Sequence, residues 1–319
     1  MQRNKLTVGT RDSDLARFQT DQVVAKLKSI NPTLDLQIKH ITTGGDKVRD
    51  RPIAEIGGRG VFVKELEEAL LNNSVDFVVH SLKDLPTDMP DGLTLAAVLN
   101  REDPRDVFLS NIAKNYAELK PGSTVATSSR RRAAQLLAWR KDLKFVDIRG
   151  NVPTRVRKMD EGQCDAIILA AAGLHRLEMS NKIQEYLHPD KVTPAAGQGV
   201  LAVECRSQDK DIIGLLQGIE DEAARFEITA ERSFLDKLGS GCSVPAGALA
   251  RYKAGDRTVT ISGCVAALDG SQMLRATREG PADEAEALGS ALAQTLIEMG
   301  AEDILKGLRQ STPNVVSPP

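Results

Sequence analysis

The sequence predicts an α/β protein of two or three domains, and three observations carry that reading. Its length of 319 residues exceeds what one ordinary domain needs. Short apolar runs of strand length alternate with amphipathic stretches of helix length, the pattern of strands crossing over through helices. Polar and charged residues gather directly after the apolar runs, and in open α/β sheets that is where ligands bind.

Composition narrows the class. Charged residues make up 27% and apolar residues 41%, as in ordinary globular proteins. A net charge of -2 and an aromatic content of 3% argue against a nucleic-acid binder, which needs cationic surface and stacking platforms. No apolar run is long enough to span a bilayer, and the chain enters its first strand without an export signal, so a membrane partner is not expected. Cys164, Cys205, Cys242 and Cys264 lie far apart without CxxC spacing, which favours neither a zinc site nor a disulfide framework. A reduced, cytoplasmic setting is expected, with any one cysteine open to a reactive role.

The first strand is KLTVG, residues 5–9, and a helix begins near Asp12 or Ser13, either of which can cap it. Thr10, Arg11 and Ser13 sit at that turn, where free N–H groups and the helix dipole favour an anion. A second strand spans 34–41, and residues 42–60, bounded by two Gly-Gly pairs, read as a lid over a cleft or as plain disorder. The helix at 61–71 leads to the central strand, whose apolar run Phe77-Val78-Val79 is bounded by Asp76 and Pro86. Ser81, Lys83 and Asp84 follow it at once. Asp84 is then a lone carboxylate beside a cation at a strand end; the plain alternative is a surface turn facing water.

After a strand at 93–99, residues 100–106 read as a crossover linker. A second α/β unit follows, with strands at 123–126, 144–148 and 165–171 and helices at 130–141 and 152–161. Thr127, Ser128 and Ser129 open the helix that begins Arg130-Arg131-Arg132; Arg149 closes the next strand, Arg155 lies a helical turn on, and Arg176 follows the last. Three consecutive arginines are usually a solvated face. Their recurrence at strand ends, behind hydroxyls at a helix N-terminus, points instead to bidentate anion binding. No GxxxxGK[ST] and no GxGxxG after a strand is present, so the expected ligand carries several carboxylates rather than a nucleotide phosphate.

A late strand at 200–204 is placed to return to the first sheet, and residues 211–237 are helical. In the loop 238–250, Cys242 stands among glycines and a proline; a packing role and a covalent attachment role both fit it. Strands near 257–267 and 272–278 meet at an Asp269-Gly270 hairpin turn, a helix spans about 283–299, and the last ten residues read as a disordered tail.

The segments VHSLKDLPTDMPDGL, ATSSRRRAAQL, RGNVPTRVRKMDEGQCDAIILAAAGLHRL, PAAGQGVLAVECR and GSGCSVPAG, in unbroken order from about residue 6 to residue 305, resemble the signatures of the porphobilinogen deaminase (hydroxymethylbilane synthase) family. The resemblance implies three domains: two lobes like those of type II periplasmic binding proteins, at 1–99 plus 200–217 and at 105–193, and a small α+β domain with an open sheet at 220–310, before a tail at 311–319. It implies a transferase that joins four porphobilinogen molecules head to tail with loss of ammonia, giving hydroxymethylbilane for tetrapyrrole synthesis. The family's primer is a dipyrromethane cofactor held by a thioether, and Cys242 matches the attachment position.

Asp84 matches the family's catalytic carboxylate, which holds pyrrole N–H groups, assists loss of ammonia, stabilises the cationic azafulvene and helps remove the α-proton. The resemblance places Lys83, Asp84, Ser81, Thr127, Ser129, Arg131, Arg132 and Asp46 on the cofactor. It places Arg11, Ser13, Arg149, Arg155 and Arg176 on substrate carboxylates, with Gln19 and Phe62 as further contacts, Phe62 at the gate. Arg130 and Arg17 stand where the family commonly has leucine, Ala126 where it has glycine, and Ser240 replaces the first glycine of Gly-Gly-Cys. Arg130 is expected to face solvent. A monomer suffices for all of this. The reading from another class is a non-catalytic polycarboxylate-binding protein of the two-lobe fold, which has no use for an exposed cysteine or a third domain; an effector-binding transcription regulator lacks a helix-turn-helix segment.

Overall fold

A computed structural model describes residues 4–47, 62–239 and 244–310. The first lobe runs β1 (Lys5–Arg11), α1 (Asp14–Ile30), β2 (Asp35–Ile41), α2 (Gly44–Lys47), α3 (Lys64–Leu71), β3 (Phe77–Ser81) and β4 (Leu93–Val98). The second comprises β5 (Asp106–Ser110), β6 (Thr124–Ala126), α4 (Arg130–Trp139), β7 (Lys144–Val146), α5 (Val152–Asp160), β8 (Ala166–Ala170), α6 (Ala171–Arg176) and β9 (Glu185–Tyr186). The chain then returns through β10 (Leu201–Arg206) and α7 (Lys210–Gln217) to the first lobe. The last domain holds α8 (Glu222–Lys237), β11 (Ala246–Lys253), β12 (Thr258–Ala266), β13 (Met273–Pro281), α9 (Ala285–Leu296) and α10 (Glu302–Gln310).

Both lobes use one design. The first sheet has the order β2-β1-β3-β10-β4 and the second β7-β6-β8-β5-β9. In each, three parallel strands are followed by one antiparallel strand, β10 or β5, which pairs on its other side with the edge strand. That antiparallel strand is always the one the chain enters on arriving from the other lobe. The two crossings lie side by side, with Leu99 N donating to Leu201 O at 3.0 Å and Glu102 N to Gly199 O at 3.2 Å. Gly199 holds a φ of +90°, and a Cβ there would lie 2.3 Å from the Glu102 carbonyl oxygen. Only glycine lets the crossings approach so closely.

Cores form where the apolar face of each helix meets a sheet. Val23 and Leu27 of α1 pack with Val8, Phe77 and Val203, and with Ile212 and Leu216 of α7; Leu66 and Leu70 of α3 cover Val78 on the opposite face. In the second lobe Val156 and Met159 lie on Val107, Ile167 and Leu169, while Leu136 and Tyr116 lie on Phe108 and Ile168. The last domain is the three-stranded antiparallel sheet β11-β12-β13 with α8 and α9 packed against it through Phe234, Ile261, Leu292 and Leu296.

Three elements differ from the sequence reading. The segment taken as a linker runs into β5 at Asp106, and all five residues of that strand are buried. Residues 246–250, read as loop, belong to β11, whose small side chains suit a tight sheet–helix contact. The helix read across 211–237 is two helices, broken at Gly218, where a Cβ would lie 2.8 Å from Ile30 Cδ1. Most of the lid segment, the Cys242 loop and the tail lie outside the described residues. Among the described residues no helix is long and apolar enough to cross a membrane.

Candidate active site

Strand β3 delivers its polar residues to the boundary between the lobes. Ser81 ends the strand, and its Oγ accepts from Gln19 Nε2 at 2.7 Å, which fixes α1 to the strand end. One 3₁₀ turn, Leu82–Asp84, then leaves the Asp84 side chain exposed. Lys83 Nζ points at Gln198 Oε1 at 3.5 Å. Burial lowers the Lys83 ammonium to about 8; Asp84 opposes that, and Arg132 adds to it.

The facing wall belongs to the second lobe. Ser129 caps α4 by accepting from Arg132 N, and Thr127 Oγ1 accepts from Ser129 N at 3.2 Å, so both hydroxyls also shape the turn that presents the arginines. Arg131 and Arg132 are buried and share one carboxylate, Asp106, which is fully buried at the start of β5. Arg131 reaches Asp106 Oδ2 at 2.7 Å, and Arg132 reaches Oδ1 through Nε at 2.9 Å and through a terminal nitrogen at 2.7 Å. Burial alone would raise the Asp106 carboxyl, but the two guanidiniums outweigh it and hold it far below the usual carboxylate range. Two cations on one anion leave a net positive charge at the end of the sheet.

Arg155 lies on α5 beside this pair. Its Nε donates to Gly150 O at 2.7 Å, and among the described residues its terminal nitrogens have no protein partner. Burial lowers its guanidinium to about 10, Arg132 and Arg149 push the same way, and Asp84 from the opposite lobe counters them. It therefore remains charged at neutral pH, with the four N–H donors of its terminal nitrogens unspent. Arg149 donates through Nε to Asp147 at 3.0 Å. Arg11 stacks on Phe62, its guanidinium carbon 4.2 Å from the ring centroid. Ser13 caps α1, its side chain accepting from Ala16 N. Arg176 is set back at the crossings, buried, with one guanidinium nitrogen on Gly199 O at 2.8 Å.

The structure thus brings Lys83, Asp84, Arg131, Arg132 and Arg155 within mutual electrostatic reach across the lobes. Arg11 with Phe62 and Ser13 stand on the first lobe's rim. Arg130 is half-buried without a hydrogen bond or ion pair among the described residues, and Arg17 pairs with Asp12. Nothing is described of the Asp46 side chain or of Cys242.

Two organising residues escape a reading of the sequence. Asp106 hides in a segment rich in charge and proline. Gln198 stands between two glycines of positive φ, and its amide donates to Pro104 O at 2.6 Å and to Asp106 Oδ1 at 2.9 Å, while its Oε1 faces Lys83 and Arg132. The glycines on either side of a lone amide are the signal that could have found it. The last domain reaches the same place. Glu231 of α8 holds Arg101 of the first crossing at 2.7 and 2.8 Å, and takes Gly197 N of the second at 2.6 Å. Arg232 donates to the carbonyls of Leu85, Pro86 and Thr87, just past Asp84.

Fold and site together define a two-lobed α/β protein with one acidic side chain set opposite a cationic wall. The family model described as porphobilinogen deaminase, dipyrromethane cofactor binding domain, matches residues 6–214, and that described as porphobilinogen deaminase, C-terminal domain, matches residues 225–298. The chain belongs to the porphobilinogen deaminase family. It is 48% identical to the porphobilinogen deaminase of Roseiflexus castenholzii over 96% of this chain and 100% of that one. Identity is 46% to that of Brevibacillus brevis, covering 94% and 96%, and 47% to that of Chromobacterium violaceum, covering 95% and 97%. The solved methionine-binding protein MetQ aligns with 70% of this chain and 92% of its own at a TM-score of 0.43 and 15% identity, too distant to carry weight.

Proposed function

We propose that the chain condenses four porphobilinogen molecules head to tail, releasing ammonia at each step, to give hydroxymethylbilane. The observation that carries this is Asp84, a lone carboxylate exposed at a strand end beside Lys83 and facing Arg155 of the opposite lobe. The donor set fits a dipyrromethane, whose acetates and propionates need cations that the protein has not already neutralised. Arg155, Lys83 and the net charge of the Arg131–Arg132–Asp106 group supply them. Such a cofactor, when bound, would supply the free pyrrole α-carbon that attacks the incoming unit.

The chain's own residues do the rest. Arg131, Arg132 and Lys83 hold the cofactor carboxylates, with Ser81, Thr127 and Ser129 on the same rims; Arg11, Arg149, Arg155 and Arg176 take those of the incoming unit and the growing chain. Asp84 orients pyrrole N–H groups and stabilises the positive charge that develops on the ring as ammonia leaves. Its carboxylate then accepts the proton from the newly bonded carbon. Cys242 is the anchor in this reading. Cys164, Cys205 and Cys264 are buried, with thiols pushed up by burial to about 11, 12 and 11, and are unsuited to alkylation. Three unpaired thiols also suit a reducing cytoplasm, where we place the enzyme as a monomer.

The test is the intact mass of the protein beside Cys242→Ala, before and after addition of porphobilinogen. An excess of two porphobilinogen units on the first alone supports the reading. Bare chain mass in both after addition overturns it and leaves a polycarboxylate-binding protein. In the loaded protein Asp84→Asn should lower kcat at least a hundredfold, the scale of losing one charge that acts in the transition state.

A further inference from the structure

The last turn of α6 holds two neighbours with different partners. Arg176 is 7% exposed, and among the described residues its one hydrogen bond goes to Gly199 O. Glu102 is close enough to stabilise its charge, yet the two form no ion pair. The Glu102 carboxylate is held elsewhere. Its Oε1 accepts from Asp103 N at 2.9 Å and from His175 Nδ1 at 3.1 Å. The other nitrogen of His175 meets Tyr186 Oη at 2.9 Å, and the Tyr186 ring lies under Arg105, itself bound to Asp103. Thus a carboxylate, an imidazole and a phenol form one chain from the first crossing to the edge strand of the second lobe.

A carboxylate on a three-bond side chain beside a poorly neutralised arginine would turn to it if free, because the bidentate pair is the strongest contact open to either. An arginine neutralised one to one in this way, unlike two that share a single carboxylate, holds a ligand carboxylate more weakly. We propose that His175 is a positioning residue which, by tethering Glu102 to Tyr186, keeps that carboxylate off Arg176 and leaves the guanidinium to the substrate. The inference rests on the reading of Arg176 as a carboxylate-binding residue.

The test uses the cofactor-loaded enzyme and the KM for porphobilinogen. His175→Ala should raise KM about tenfold with kcat little changed, the pattern of lost uniform binding. Glu102→Gln placed in that variant should return KM to within about twofold of wild type, since a neutral amide does not compete for the guanidinium. His175→Gln, which can still donate to Glu102, should keep KM near wild type. A side chain that serves stability alone would lower the melting temperature in His175→Ala without any rescue by Glu102→Gln. An unchanged KM in a folded His175→Ala protein, or a raised KM that Glu102→Gln fails to lower, overturns the inference. Arg176→Gln separates the two levels: a raised KM there with a silent His175→Ala sinks the tether alone, whereas an unchanged KM in Arg176→Gln sinks the binding role of Arg176 and the tether with it.

Discussion

Lys83 offers a quantitative test of the cleft's electrostatics. Burial holds its ammonium at about 8, against an ordinary lysine near 10.5. Between pH 7 and pH 9 the charged fraction of such a group falls from about nine-tenths to about one-tenth. If the neutral amine contributes nothing to holding a carboxylate, cofactor uptake should slow about tenfold over that range. The assay is the rate at which cofactor-free protein gains porphobilinogen units, followed by intact mass at each pH. Lys83→Arg keeps its charge throughout. Titration of the substrate's own amine affects both proteins alike, so the ratio of the two profiles isolates Lys83. Parallel profiles would refute the reasoning. Stability carries the same signature with a definite sign. The unfolded chain binds more protons at this side chain between about pH 8 and 10.5, so the fold gains stability as pH rises through that window. Lys83→Met should remove that gain.

Asp106→Asn leaves two buried guanidiniums without their shared anion and should cost about 3–5 kcal/mol, read from urea unfolding. Because the Asp106 carboxyl is depressed in the fold, its contribution is complete above about pH 4 and shrinks as pH falls further, so wild type and variant should converge in acid. Glu231→Gln weakens the hold on Arg101, and amide exchange at Gly197 and Ala250, which donate to Glu231, should quicken at least tenfold. Gly199→Ala forces a Cβ against the Glu102 carbonyl at a positive φ, and the melting temperature should drop by several degrees.

How much was legible depended on where each signal sat. Strand β3 could be read because its apolar run is closed by Asp76 and Pro86, and its candidate site residues follow without a gap. Strand β5 could not. Its apolar core is three residues between charged and polar ones, and it is buried by β8 and β9, whose contribution no local window contains. The arginines were legible as charge but not as partners. Nothing near Arg131 and Arg132 shows that a carboxylate 25 and 26 residues earlier has already claimed them, which makes Arg155 the more open cation. Gln198 and His175 work through contacts 66 to 115 and 73 residues away along the chain. Distance in sequence, more than subtlety of chemistry, set the limit.

The order β2-β1-β3-β10-β4 bears on how the chain comes off the ribosome. Among the described residues strand β4 pairs with β10 alone, and β10 is made about a hundred residues after it. Until residue 206 has emerged, the first lobe holds β3 (Phe-Val-Val-His-Ser) with one open edge and β4 (Leu-Thr-Leu-Ala-Ala-Val) with no neighbour, both mostly apolar. Such edges invite pairing with other nascent chains. The second lobe must therefore be translated while the first stands unfinished, and the last strand to arrive closes the gap in the middle of the sheet. Synthesis that stalls between residues 100 and 200 should yield the chaperone-bound, aggregation-prone species, although the segment carrying Asp84 has by then been made in full.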